Sequence, residues 1–253
     1  AKVTAEEAAE LRRLTLAVIK NDAPSPGARD AARALAAISE AMAEIIERWD
    51  GAPVQLPRGV KATPNGLLLA NGTAGFCSPL TLEPNVDGAL PDTAFVWTGA
   101  HELGHIAGLC GEAEATLIGY AAGLRAKDSY ARYAVALNLY TDLCDQLESG
   151  ARKTALDLLP EVARDDLRAA REAYDRYRID WFRRISWRLY NTYLQSQGIA
   201  EGVKDYSRGV ALFTFVWRKG LIEFPKDARV PGPAPLKSRP VFPPAYTPGE
   251  RIA

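Results

Sequence analysis

No stretch of this 253-residue chain reaches the roughly 18 uninterrupted apolar residues of a membrane-spanning helix, so nothing in it reads as a bilayer span. An excess of charge of either sign is lacking as well. With 31 basic and 31 acidic residues the formal net charge is zero, which removes the global pull toward nucleic acid or an anionic membrane surface. No nucleic-acid partner is therefore expected. Cysteine is scarce: Cys77, Cys110 and Cys144 are too few for a disulfide framework, and being odd in number they leave at least one thiol unpaired within the chain. Histidine is scarcer still, with two residues in all, and both fall within one pentapeptide.

What is present centres on that pentapeptide, His101-Glu102-Leu103-Gly104-His105, which has the H-E-x-x-H form of zinc metalloproteases. On a helix, residues four apart share a face, so both imidazoles can converge on one metal ion. Glu102 is rotated by about 100° from His101, where it flanks the ion without ligating it. That is the place of a general base for a water activated by the metal.

The surrounding pattern is mainly helical. Thr4 followed by Glu6 and Glu7 starts one helix, and the Ala-rich run from Ala28 to Trp49 carries Leu35, Ile38, Met42, Ile45, Ile46 and Trp49 as an apolar stripe. From Asp50 to Pro91 prolines punctuate short runs such as Gly66 to Ala70 and Thr81 to Val86, which read as short strands and turns. Asp92 or Thr93 is expected to cap the histidine helix, which Gly108 and Gly111 interrupt before a new helix near Glu112. Helical periodicity continues over Tyr130 to Leu147, Leu159 to Tyr177, Ile179 to Gln197 and Tyr206 to Arg218.

Eight of the seventeen prolines crowd into 224–253, an extended Pro-rich tail that could serve as a ligand for a partner domain. The expected organisation is thus a catalytic domain over 1–223 followed by this tail. Within the domain, N-terminal helices occupy 4–49, strands and turns 50–91, metal-site helices 92–126 and a C-terminal helical part 127–220.

Two histidines leave a catalytic metal one protein ligand short, and no third histidine exists. Glu112 and Glu114 follow His105 by seven and nine residues, past two glycines that let the chain turn back. Glu112 is favoured because Thr116 stands one turn beyond it, where a hydroxyl can accept the Nδ1 proton of a ligand histidine. Glu114, about 200° around the same helix, is the alternative. Cys110 is a further candidate as ligand or redox switch, although its apolar turn suits a small buried hydrophobe. Stabilisation of an oxyanion must fall to tyrosine or arginine, for which Tyr190-Asn191-Thr192-Tyr193 and Tyr206-Ser207-Arg208 are candidates.

These residues resemble a family of bacterial zincin-like membrane proteins catalogued as DUF3810. The likeness runs from Asn71 to Lys219 through Asn71-Gly72-Thr73-Ala74-Gly75-Phe76, Glu83-Pro84-Asn85-Val86, the histidine block with Gly108, Glu112, Glu114-Ala115 and Tyr120, then Leu139-Tyr140, Tyr190-Asn191, Tyr193-Leu194, Gly202-Val203-Lys204 and Tyr206. It implies a gluzincin-type fold in which Glu112 or Glu114 completes the metal site, and it marks Tyr206 as the better oxyanion candidate. It also implies membrane-spanning helices ahead of this region, so that the chain would be the soluble portion of an anchored protein. Family members tend to carry Asn where this chain has Thr116, a departure that touches the hydrogen bond to the ligand histidine and not the ligand set.

The reading is a mainly α chain with a small β region: a zincin-like endopeptidase using Zn2+, or Mn2+ or another divalent ion, on a peptide or protein substrate. Its Thr81 to Val86 strand is expected to pair with extended substrate backbone. The alternative is an inactive zincin serving as a scaffold around a structural metal, which four protein ligands would betray.

Overall fold

The computed structural model describes residues 3–25, 27–78, 81–185 and 206–225, with the backbone alone at 206 and 207. Helix α1 (Ala5–Asp22) opens on a capping box: the Glu7 amide donates to Thr4 Oγ1, and the Thr4 amide donates to the Glu7 carboxylate. Helix α2 (Ala31–Asp50) is capped by Asp30 and buries Leu35, Ile38, Met42 and Ile45, the stripe legible in its sequence.

A small mixed sheet follows. Strand β1 (Lys61–Thr63) runs parallel to β3 (Pro84–Asp87), with Lys61 opposite Asn85, and β2 (Gly75–Cys77) runs antiparallel to β3, with Gly75 opposite Val86. The order β1-β3-β2 leaves β3 in the centre and fully buried. Gly66 to Ala70 is not a strand: it turns into a short 3-10 helix at Leu69–Asn71. The cause is Asp87. Its buried carboxylate accepts from the amides of Gly66, Leu68, Leu69 and Ala89, and amides held this way cannot join a ladder.

The helical body comprises α3 (Asp92–Ile106), α4 (Glu112–Arg125), α5 (Ser129–Cys144), α6 (Ser149–Asp157), α7 (Glu161–Tyr177) and α8 (Tyr206–Arg218). Helix α1 packs on α5, α2 on α3 and α4, and α8 along α4, around a core that includes Leu103, Ile118, Tyr120, Tyr133 and Phe213. Helix α3 is capped by Pro91 and not by Asp92 or Thr93. Thr93 is engaged elsewhere, donating to Asp166 of α7, a buried carboxylate that also holds Arg29 and the Tyr133 hydroxyl.

Helix α6 had no signal in the sequence, because none of its residues is buried and it therefore carries no apolar stripe. It occupies the gap left where α5 stops at Cys144, short of the expected Leu147. Most of the expected 179–197 helix and nearly all of the Pro-rich tail lie outside the described residues. Among the described residues no helix is long and apolar enough to cross a membrane. The fold is predominantly helical with a small mixed sheet and a zincin-like helix bearing the histidines.

Candidate metal centre

Helix α3 is lined with small residues where it meets its neighbours, and Gly104 is the one that faces α4. A Cβ at that position would stand 3.0 Å from the Ala115 backbone and 2.9 Å from Ile118 Cγ2, so its absence lets α4 close on α3. The connection is equally compact. Gly108 adopts φ 93°, its amide donates to the His105 carbonyl, and the Leu109 amide donates to the Gly104 carbonyl, which stops the helix as a Schellman turn. Helix α4 then begins at Glu112, directly over the histidines.

Glu112 Oε2 lies 3.0 Å from His101 Nε2 and 3.8 Å from His105 Nε2, and the three ligand atoms fall within 4.8 Å of one another. Tetrahedral zinc with bonds of 2.0–2.2 Å needs donor atoms roughly 3.3 Å apart, a spacing that these two distances bracket. The two rings stand 4.9 Å apart at 89°, each with its other nitrogen engaged. His105 Nδ1 is 2.9 Å from the Leu109 carbonyl, which can only accept, so the proton sits on Nδ1 and the Nε2 lone pair faces the cluster. His101 Nδ1 is 3.2 Å from Thr116 Oγ1, and a proton on Nδ1 turns the Nε2 lone pair toward the cluster. Burial, seconded by the charge of His101, holds the His105 imidazole below its ordinary pKa, favouring the neutral, ligating form.

Glu102 lies beside this cluster and is 5% exposed. Its Oε2 is buried with no hydrogen-bond partner, and burial pushes its carboxyl up to about 7, with the Glu112 charge adding to the rise and His101 opposing it. Glu114 is not in the cluster: it is exposed, and its carboxylate folds back over Gly111. Cys110 is exposed beside the Gly108 carbonyl and is no buried hydrophobe, while Cys77 is half-buried on β2. Behind His101, Trp97 stacks on Tyr120 with centroids 4.4 Å apart, and the Tyr120 hydroxyl donates to Asp142. Tyr190 to Tyr193 lie outside the described residues, and Tyr206 is described as the first backbone position of α8.

A partly buried His-His-Glu cluster in H-E-x-x-H spacing is consistent with the zinc-type metallopeptidase active site of a gluzincin, and its donor set suits a divalent metal. Residues 1–214 match the family described as "Protein of unknown function (DUF3810)". The chain belongs to the DUF3810 family. The match starts at residue 1, well ahead of Asn71, so α1, α2 and β1 are part of what DUF3810 members share. No curated protein and no solved structure matches the chain.

Sequence reasoning missed Gly104, the Leu109 carbonyl and the Trp97–Tyr120 stack. Only Gly104 left a signal, as the small residue inside the histidine motif where helix packing wants one.

Proposed function

We propose that this protein is a metal-dependent endopeptidase with zinc as its ion, His101, His105 and Glu112 as ligands and Glu102 as general base. The observation that carries the reading is the convergence of three ligand atoms beside a buried carboxylate that has an unpaired oxygen. A divalent ion held there supplies Lewis acidity toward a peptide carbonyl and toward water. Glu102 takes the proton from the attacking water and returns it to the leaving amine. Leu109 and Thr116 hold the two imidazoles in their ligating tautomers throughout.

The expected substrate strand, Thr81 to Val86, cannot take a peptide. Its residues from Pro84 on belong to β3, which is paired on both sides and has no free edge. Strand β2 is the better docking edge: among the described residues nothing pairs with its outer side, and Gly75 sets it against Glu102.

Tyr206 remains the oxyanion candidate. Gly209 packs on Thr116 and Phe213 on Tyr120, a constant advance of four that makes α8 parallel to α4. Its first residue then stands level with the start of α4, where Glu112 is, which supports the assignment.

Elemental analysis of the purified protein, paired with cleavage of a mixed peptide library, tests the proposal. About one equivalent of zinc, with cleavage that a chelator and Glu102→Gln each abolish, is the expected result. A chain that takes up no divalent ion, or a Glu102→Gln variant that cleaves as well as the parent, sinks it. Metal without cleavage hands the case to the scaffold reading, against which stands the presence of three ligands, not four, among the described residues.

A further inference from the structure

The β2 strand turns the Cα of Gly75 toward α3, and the space a side chain would need there is already occupied. A Cβ at Gly75 would stand 2.8 Å from Glu102 Oε1, 2.8 Å from Thr98 Cγ2 and 2.9 Å from the Asn85 carbonyl oxygen. These three neighbours differ in how far they can yield. The Asn85 carbonyl belongs to the central strand, which is paired on both sides. Thr98 is β-branched, buried and one helical turn before Glu102, so it is stiff at χ1. Glu102 is long, its Oε2 has no hydrogen bond to hold it, and its carboxylate is the far end of a flexible side chain. The backbone makes no demand for glycine, since Gly75 has no positive φ and sits in regular register opposite Val86. A glycine inside a strand is less favourable than alanine and marks a close approach.

We infer that Gly75 is a positioning residue, whose missing side chain sets where the Glu102 carboxylate stands between the edge strand and the metal cluster. Its catalytic consequence rests on the peptidase reading, but the positioning itself does not. Of the two groups nearest to any side chain at position 75, one is the carboxylate on which the chemistry depends, and it is the more mobile of the two.

The test compares the parent protein with Gly75→Ala. Crystal structures of both without metal are expected to show the Glu102 carboxylate moved by at least about 0.6 Å, the step from 2.8 Å to ordinary 3.4 Å contact, and moved further than Thr98 or Asn85, which must each give by a few tenths of an ångström. Metal content should stay at the parent value, while kcat falls about ten- to a hundred-fold and KM changes less than threefold, as expected for a displaced base. Glu102 unmoved with β2 lifted instead overturns the inference, and so does a variant that fails to fold, because either outcome puts the steric load on a neighbour other than the carboxylate. A displaced Glu102 in a protein whose parent form cleaves no peptide leaves the positioning intact and removes the peptidase reading.

Discussion

Thr116 Oγ1 stands 3.2 Å from Nδ1 of His101, on a different helix and fifteen residues later in the chain. The hydroxyl fixes the imidazole from behind, and Gly209 of α8 packs directly against the same threonine, where a Cβ would come within 2.6 Å of its Cγ2. Thr116→Val keeps the packing shape and removes the hydrogen bond. Metal affinity should fall about ten- to a hundred-fold with the fold intact, as competition titration against a chelating dye would register. Unchanged affinity would mean that Thr116 only fills space.

Gly104 governs the approach of α4 to α3, since any side chain meets the Ala115 backbone and Ile118. Gly104→Ala should cost about 1–3 kcal/mol of stability by overpacking, and it should also weaken metal binding because Glu112 rides on the displaced helix. Urea unfolding of the metal-free protein isolates the first effect, and metal titration reads the second.

Asp142 is half-buried, accepts from the Tyr120 hydroxyl, and has its carboxyl pushed up to about 6 by burial, from an ordinary 3.8. The folded state therefore binds this proton more tightly than the unfolded chain does. Its contribution to stability is complete below about pH 4 and is lost as pH rises through about 6, by up to about 3 kcal/mol. Asp142→Asn should flatten that segment of the curve, as denaturant midpoints between pH 4 and 7.5 would show. A variant with the parent's slope would place the titrating group elsewhere.

Asp87 is fully buried and accepts four backbone amides from the 66–69 turn and Ala89. Asp87→Ala strands those donors and should destabilise the fold by about 3 kcal/mol or more. Protection from hydrogen exchange should be lost first over 64–89, which carries the proposed substrate edge. Exchange that rises evenly over the whole chain would argue against a local role.

Much of the site was legible because its parts are close in sequence and obey helical periodicity. His101 and His105 had to share a face once α3 formed, and Glu112 was favoured for having Thr116 a turn beyond it, the same threonine that meets His101. Glu114 stands outside the cluster for a local reason, its carboxylate lying over Gly111. The strand region was harder to read. Runs of three or four residues carry little periodic signal, and whether Gly66 to Ala70 pairs or coils depends on Asp87, some twenty residues away.

By itself the sequence determined the histidine motif, the helical class, the breaks at Gly108 and Gly111 and the identity of the candidate base, because each follows from spacing within one or two turns. Tertiary structure alone decided that β3 is paired on both sides among the described residues, that Gly75 abuts Glu102, and that Leu109 and Thr116 orient the two imidazoles. The reason is physical. Periodicity records which face of an element is apolar, whereas strand order and the approach of two backbones depend on contacts between residues that spacing along the chain does not relate.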